Sequence, residues 1–273
     1  MSEFRRLIDA GEVPLEMIFQ DPSTYAVEIV AAAGYDSIAI DLQHTAVDLG
    51  QLSSLLALLK ALDVHSAVRV PDNSRALLTR VLDAGPNAVI CPDVETAEEV
   101  EEFVSACRYP PQGTRSFGPM RGLVDHTIPK VEGKPPFSVE ETNRDLLVIA
   151  QIESPRGLEN ADEIAAVEGL DALMPGPMDY SLSAYGELIP DHSDPRAVQS
   201  LEAIATAAHE AGKLFGLLIV SPDHIPVLLE KTKPDWVMNA TDLGWLKAVS
   251  SAAVAAGRQA VAEYKQSTKG HHG

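Results

Sequence analysis

Short apolar runs alternate with longer stretches of helical periodicity along most of the chain. Eight runs have strand length and lack the alternation of polar and apolar residues seen in half-exposed strands. These runs are residues 15–19, 37–40, 67–70, 88–91, 146–152, 172–174, 215–220 and 236–238. The stretches with helical spacing are residues 25–33, 49–62, 75–83, 96–106, 157–167, 197–211, 222–230 and 243–264.

Eight strand-then-helix units predict an α/β fold, because strands buried on both faces are typical of a parallel sheet covered by helices. We expect residues 1–264 to form a single (β/α)₈ TIM barrel, with an open doubly wound sheet as the alternative. One connection, residues 109–145, is too long for a plain turn, and we interpret it either as a surface excursion or as a lid or subunit contact. The polar residues 265–273 are expected to be a disordered tail.

The composition of the chain indicates which binding partners and which cellular location to expect. The formal charge of −19 argues against nucleic acid, which requires a basic surface. No apolar run approaches the ~20 residues of a membrane span, and the first residues lack the apolar core of a signal peptide. These features favour a cytoplasmic protein with no membrane partner. The cysteines, Cys91 and Cys107, fit small buried apolar side chains better than a disulfide or metal cluster.

Two acidic residues follow consecutive predicted strands. Glu153 and Asp179 come directly after the fifth and sixth strands, and neighbouring strands lie ~4.8 Å apart. Two carboxylates with water and a chelating substrate would suit a magnesium-type site. Gln151 shares the strand face of Glu153 and could reach the same ligand. The alternative is that both acidic residues only cap the helices that follow them.

Two further polar residues lie at strand ends. His44 is a candidate base, because imidazole transfers protons near neutral pH, although a lone loop histidine is more often a solvated bystander. Asp83 could orient it if the fold brings the two together. Arg69 stands in an otherwise apolar strand and must be paired if it is buried. Its partner could be a substrate oxyanion or Asp41 on the neighbouring strand.

The motifs, taken together, resemble those of the HpcH/HpaI family of class II, metal-dependent 2-oxo acid aldolases, a group that includes 4-hydroxy-2-oxoheptanedioate aldolase and macrophomate synthase. The matching segments span nearly the whole chain in order: Ala26-Val27-Glu28, Ala33-Gly34-Tyr35-Asp36, Asp41-Leu42-Gln43-His44, Val68-Arg69-Val70, Asp83-Ala84-Gly85, Arg108-Tyr109-Pro110-Pro111-Gln112-Gly113-Thr114-Arg115, Gln151-Ile152-Glu153, Gly176-Pro177-Met178-Asp179-Tyr180-Ser181 and Gly212-Lys213.

The resemblance implies a barrel of the pyruvate/phosphoenolpyruvate-binding type with a divalent cation held by Glu153 and Asp179. Mg²⁺ is the expected ion, with Mn²⁺ or Co²⁺ as alternatives. Pyruvate or its enolate would chelate that cation. Gln151 and the backbone at Met178 would seat the pyruvyl group, with Asp41 and Asp179 also counted among the substrate-binding residues.

The resemblance also implies catalytic roles. Arg69 would stabilise the enolate oxygen, and His44 with Asp83 would move the proton. Family members are homo-oligomers, so a hexamer built as a trimer of dimers, or a trimer, is expected.

The predicted reaction is reversible aldol cleavage of a 4-hydroxy-2-oxo acid to pyruvate, or a pyruvate analogue, and an aldehyde. Oxaloacetate-type decarboxylation or a biosynthetic carbon–carbon coupling is the alternative, and a non-catalytic binding protein on the same barrel is a third reading. Many family members carry Glu where this chain has Gln43, and a Gly-rich segment where it has Ile18-Phe19-Gln20-Asp21. These departures flank the expected aldehyde site. Arg115 and Arg121 are candidates for binding a distal carboxylate.

Overall fold

The computed structural model describes residues 2–118, 137–219 and 221–269. Its helices and strands, in chain order, are α1 (Glu3–Asp9), β1 (Leu15–Phe19), α2 (Thr24–Ala32), β2 (Ser37–Asp41), α3 (Leu49–Ala61), β3 (His65–Arg69), α4 (Arg75–Ala84), β4 (Ala88–Cys91), α5 (Ala97–Cys107), α6 (Val139–Asp145), β5 (Leu147–Ile152), α7 (Pro155–Glu159), α8 (Ala161–Ala165), β6 (Ala172–Pro175), α9 (Pro177–Tyr185), α10 (Pro195–Glu210), β7 (Leu214–Ile219), a 3₁₀ turn (Pro222–His224), α11 (Ile225–Thr232), β8 (Trp236–Thr241) and α12 (Asp242–Lys269).

The eight strands form a closed barrel in sequence order, and each strand pairs in parallel with its neighbours, β8 with β1 included. The predicted (β/α)₈ TIM barrel is therefore confirmed, and the open doubly wound sheet is wrong. All strand carboxyl ends open onto one face, where active sites of this fold are built.

Several element boundaries differ from the predictions. Three short helices, α1, α6 and α9, were not foreseen, because seven to nine residues carry too little periodicity to signal a helix. The predicted helix 157–167 is two short helices, α7 and α8, separated at Asn160. The predicted strand 67–70 begins two residues earlier, at His65. Helix α12 continues to Lys269 and residues 270–273 lie outside the described range, so a disordered tail over residues 265–273 stays a prediction.

The interior of the barrel is packed with side chains and closed at its amino end. Small and large residues share this inner core: Ile18, Ala39, Ala67, Ala88, Ile90, Leu147, Ile149, Ala172, Met174, Trp236 and Met238, with Phe4 and Ile8 from α1. Phe4 stacks on His65 at 4.4 Å between ring centroids and so seals the floor. Gly216 makes room for Trp236, because a Cβ at this position would lie 2.1 Å from the indole ring.

A buried polar network lies at this closed end. Glu16 accepts hydrogen bonds from the Ser37 hydroxyl (2.6 Å) and from the Trp236 indole N–H (2.9 Å). The Ser37 hydroxyl also contacts Nδ1 of His65 at 2.9 Å. Burial raises the pKa of Glu16 to about 7, although both hydrogen bonds oppose the shift. Burial lowers the pKa of His65 to about 3, so this ring is neutral in the folded protein.

The long connection is tied to the barrel where it starts and ends. Arg108 is buried and donates to the backbone carbonyls of Asn143, Leu146 and Gly169 and to the Asp171 carboxylate. Its role is structural, because it links the end of α5 to the starts of β5 and β6. Residues 119–136, including Arg121, lie outside the described residues, so the lid and subunit-contact interpretations stay predictions.

Both cysteines are free and buried, as predicted. Within the described ranges, no helix combines the length and apolar character needed to cross a membrane.

Candidate active site

A cavity of about 490 Å³ opens at the carboxyl end of the barrel. Five of the predicted site residues line it: His44, Arg69, Gln151, Met178 and Asp179. The other described lining residues are Ile18, Gly176, Pro177, Leu218, Ile219, Ser221, Pro222, Thr241, Gly244, Trp245 and Ala248. Residues 130 or more positions apart in the sequence therefore meet in one pocket because the barrel places all strand ends on one face.

Arg69 is held by a two-pronged ion pair with Asp41. Its Nε and Nη2 donate to the two carboxylate oxygens of Asp41 at 3.0 and 2.8 Å. Asp41 is fully buried and also accepts from the Gln20 side chain and the Gln43 backbone N–H. Burial alone would raise the pKa of Asp41, but Arg69 outweighs it, so the pKa lies below its ordinary value. The ion-pair alternative for Arg69 is thus confirmed, and Asp41 positions a guanidinium that still borders the cavity.

Glu153 is buried directly behind Gly176, a residue that lines the cavity. Its Oε1 accepts from the backbone N–H of Asp93 at 2.7 Å, whereas its Oε2 has no hydrogen-bond partner among the described residues. Burial, followed by the negative charge of Asp179, raises the pKa of Glu153 to about 7, against the opposing effects of the Asp93 N–H and Arg69. Oε2 lies against Gly176, where a Cβ would be 2.0 Å away. A glycine therefore leaves the space that this carboxylate occupies.

The helix-cap alternatives for the two acidic residues are not what the structure contains. α7 is capped by Ser154, whose hydroxyl accepts from Gly157 N–H at 3.1 Å, and not by Glu153. α9 begins at Pro177 after Gly176 without a side-chain cap, and Asp179 lies exposed in its first turn. Neither carboxylate accepts a capping hydrogen bond from the helix that follows it, so both carboxylates are available to bind a ligand.

The residues present fit a divalent cation. Oε1 of Gln151 and Oε2 of Glu153 are buried without partners in the described part of the chain, and buried oxygens of this kind call for a ligand. Asp179 lies near enough for its charge to raise the pKa of Glu153. The described ranges contain no group of three or more His, Cys, Asp and Glu side chains arranged to hold a metal. The expected set is smaller, two carboxylates completed by water and substrate oxygens, as Mg²⁺ prefers.

His44 and Asp83 are not brought together within this chain. His44 is exposed at the cavity, in the loop after β2. Asp83 instead faces Arg115, with 3.5 Å between Oδ1 and Nη2, and Arg115 also lies over the Tyr109 ring at 4.5 Å. Burial raises the pKa of Asp83, and the charge of Arg115 opposes the shift. Arg115 is therefore engaged away from the cavity and does not supply a free cation for a distal carboxylate.

Sequence reasoning missed three parts of this site. The N–H of Asp93, which holds Glu153, leaves no mark in a sequence, although the residue itself adopts a positive φ of 54°. Gly176 is part of one of the motifs quoted above, but the motif does not indicate that this residue contacts Glu153. The start of α12, including Trp245, forms one wall of the cavity. Helical spacing predicted that helix but not where its first turns would lie.

Comparison with known proteins agrees with this geometry. Residues 17–263 match the family model described as HpcH/HpaI aldolase/citrate lyase. The chain belongs to this family. The predicted family, and with it the prediction of an enzyme of the carbon–carbon lyase type, is confirmed.

Two curated relatives of this family member are named aldolases. It is 30% identical over 258 residues to the hydroxypyruvate/pyruvate aldolase of Rhizorhabdus wittichii, which covers 94% of this chain and 99% of the relative. It is 32% identical over 221 residues to the 2-keto-3-deoxy-L-rhamnonate aldolase of Escherichia coli, covering 81% of this chain and 80% of the relative.

Solved structures of similar proteins share the whole barrel. Macrophomate synthase superposes with a TM-score of 0.83 at 29% identity, covering 96% of this chain and 89% of that one. Citrate synthase SbnG superposes with a TM-score of 0.81 at 29% identity, covering 94% and 98%. An HpcH/HpaI aldolase from Desulfitobacterium hafniense gives 0.82 at 27% identity, covering 92% and 95%.

Proposed function

We propose that this HpcH/HpaI family member catalyses the reversible aldol cleavage of a 4-hydroxy-2-oxo acid to pyruvate, or a close analogue, and an aldehyde. The proposal is carried by one observation. Asp179, Arg69 and Gln151 line a single cavity, and Glu153 lies directly behind Gly176 of its wall, with Oε2 of Glu153 and Oε1 of Gln151 lacking a partner among the described residues. The names of the curated relatives, both aldolases, support the same reaction type.

A divalent cation held by Glu153 and Asp179, Mg²⁺ by expectation and Mn²⁺ or Co²⁺ as alternatives, would act as a Lewis acid toward the 2-oxo group. Arg69 donates to the oxygen that gains negative charge during cleavage. Because Asp41 holds two of its N–H groups, the guanidinium needs little rearrangement to do so. The Gln151 amide orients the 2-oxo acid from the adjacent strand end.

His44 is the group that we assign to proton transfer. In the cleavage direction it takes the proton from the 4-hydroxyl oxygen, and in the addition direction it returns one to the aldehyde oxygen. A covalent imine would require a lysine, and the described lining residues include none. Lys213 lies at the opposite end of the barrel, where its Nζ donates to the carbonyls of Val167 and Leu170.

Proton exchange from the methyl group of pyruvate tests the proposal without any aldehyde. The exchange is followed by NMR in D₂O with Mg²⁺, Mn²⁺ or Co²⁺ added separately. Glu153→Gln and Asp179→Asn should each slow it by about 100-fold or more, because each removes a ligand charge. The matched control is Glu163→Gln, an exposed carboxylate on α8. Full exchange in either ligand variant, or in the presence of excess EDTA, would refute the assignment.

The role of His44 needs a second measurement. His44→Ala should slow retro-aldol cleavage by about 100-fold or more while changing Mn²⁺ affinity far less. Equal loss of both would count against a base at this position.

Synthesis rather than cleavage is the second candidate, because two of the similar structures are named synthases. The same residues would then stabilise an enolate formed from oxaloacetate by loss of CO₂, which is the decarboxylase alternative, or couple that enolate to an acceptor. Incubation with oxaloacetate, with and without an aldehyde, followed by product analysis separates decarboxylation, coupling and aldol addition.

We also propose that the chain functions as a homo-oligomer, a hexamer or a trimer. Helix α12 runs for 28 residues and exposes Leu246, Val249, Val254 and Val261 in the single chain. An apolar surface of this length is typical of a subunit contact, and multi-angle light scattering measures the mass directly. A cytoplasmic location stays an expectation that fractionation of the source cells would test.

A further inference from the structure

We propose that the acceptor side of the cavity selects an aldehyde whose substituent is neutral and apolar, an alkyl or aryl group rather than a polyol or a carboxylate. This inference rests on the proposed aldol reaction and names its second substrate. It follows from the chemistry of the two sides of the cavity, which differ.

One side of the cavity is polar. Arg69, Gln151, Asp179 and His44 come from β3, β5, α9 and the loop after β2, and they suit the 2-oxo acid. The other side is built from β1, β7, β8 and the segments that follow the last two strands. Its apolar side chains are those of Ile18, Leu218, Ile219, Pro222, Trp245 and Ala248.

Trp245 presents its ring to the cavity. Its side chain lies beside the hydroxyl of Tyr35, a half-buried residue that precedes β2; burial raises the pKa of Tyr35, and Trp245 partly opposes that shift. The indole ring is 36% exposed and lines the cavity. An aromatic surface of this kind stabilises an apolar substituent by removing it from water.

Two hydroxyl groups belong to the described residues on this side, and each already uses one acceptor position within the protein. Oγ1 of Thr241 accepts from the Gly244 N–H at 2.9 Å, and Oγ of Ser221 accepts from the Asp223 N–H at 3.4 Å. A polyhydroxylated aldehyde placed here would exchange hydrogen bonds with water for contacts with hydrocarbon. Burial of hydroxyl groups without new partners is unfavourable.

Binding of a negatively charged substituent is also disfavoured on this side of the cavity. Arg69 is the only arginine or lysine among the described lining residues; Asp41 holds two of its nitrogens, and the proposed reaction already assigns the guanidinium to the oxygen of the 2-oxo acid. Of the two arginines expected from the sequence to bind a distal carboxylate, Arg115 is paired with Asp83, and Arg121 lies outside the described residues. The Asp179 carboxylate at the same cavity would repel a second anion.

The bond changes of the addition reaction are consistent with an acceptor side that only binds the aldehyde substituent. C3 of the 2-oxo acid loses a proton and forms a bond to the carbonyl carbon of the aldehyde. The carbonyl π electrons pass to the aldehyde oxygen, which takes up one proton to become the 4-hydroxyl. The aldehyde substituent does not take part in the bond changes, so the apolar wall acts only by binding it.

The test compares three acceptors of similar size with pyruvate as the donor: pentanal, glyceraldehyde and 4-oxobutanoate. We expect kcat/KM for pentanal to exceed the other two by about tenfold or more. Trp245→Ala should lower the ratio of kcat/KM for pentanal to that for glyceraldehyde by about tenfold, and Trp245→Phe should restore most of it. Tyr25→Ala on α2, which also removes an exposed aromatic side chain but one absent from the described lining, is the matched control and should leave the ratio as in the wild type.

Methyl exchange of pyruvate in D₂O, measured first and without aldehyde, separates the two proposals. If exchange is absent, the proposed function fails and the acceptor inference fails with it. If exchange proceeds but glyceraldehyde or 4-oxobutanoate is the better acceptor, or Trp245→Ala leaves the ratio unchanged, the inference is overturned while the aldol chemistry stands.

Discussion

Replacement of Gly176 by alanine isolates the position of one carboxylate. Gly176 precedes α9 with a negative φ of −111°, so its replacement by alanine does not require the left-handed conformation that glycine favours. The added Cβ would lie 2.0 Å from Oε2 of Glu153 and 2.6 Å from its Cβ. Because the second contact involves the root of the side chain, rotation of the carboxylate alone cannot relieve it.

The size of the effect follows from these distances. To regain van der Waals separation, Glu153 must move by about 1 Å or more relative to Gly176. A misplacement of that size in an active site costs about 100-fold in rate. The accompanying loss of stability should be about 1–3 kcal/mol, as for other overpacked sites. Activity should thus fall far more than the folded fraction does.

The assay combines pyruvate methyl exchange with Mn²⁺ titration of the folded variant. Gly257→Ala is the control, because a Cβ at that position on α12 meets nothing within 4 Å. If Gly176→Ala exchanges the methyl protons at the wild-type rate with unchanged Mn²⁺ affinity, the location of Glu153 beside Gly176 has no bearing on catalysis and our reading of the site is wrong.

Three further changes probe the ion pairs and buried groups. Asp41→Asn should leave Arg69 buried without a counter-charge, so urea denaturation should show a loss of about 3 kcal/mol or more together with a higher KM for pyruvate; unchanged values of both would contradict the positioning role. Glu16, with a pKa raised from 4.5 to about 7, stays protonated on folding while the unfolded chain ionises, so its contribution to stability is complete below pH 4.5 and declines as the pH rises to 7. Glu16→Gln should abolish this decline, which amounts to up to about 3 kcal/mol. The unfolding free energies of variant and wild type, measured as a function of pH, should therefore differ by an amount that changes with pH. A difference that is the same at every pH would exclude the raised pKa of Glu16. Arg108→Met, which leaves the Asp171 carboxylate and three carbonyls without their donor, should lower the unfolding free energy by about 3 kcal/mol or more yet preserve pyruvate exchange per folded molecule; a selective loss of exchange would point to a catalytic role instead.

Much of the fold could be predicted from the order of apolar runs. Each strand is short, continuous and buried, and each is followed by a helix, so the βα repeat is a local property of the sequence. Barrel closure then brings the residues after the strands to one face. For this reason Arg69, Gln151 and Glu153, all at strand ends, could be assigned to one site before any coordinates were known.

The contacts between these residues depended on tertiary structure. Whether Arg69 meets Asp41 or a ligand, and whether Asp83 faces His44 or Arg115, is decided by side chains that approach from different segments. Local spacing carries no information about such pairs. The same holds for the N–H of Asp93 that holds Glu153.

The chain by itself therefore determined the barrel and the inventory of chemical groups at its rim, because strand and helix periodicities are local and the closure of eight parallel strands brings their ends together. Only the tertiary structure decided which groups are paired, which oxygens of Glu153 and Gln151 lack partners in the described part of the chain, and that the first turns of α12 supply an apolar wall. Those features arise from distances of a few ångströms between segments far apart in sequence, and the packing of the whole molecule sets such distances.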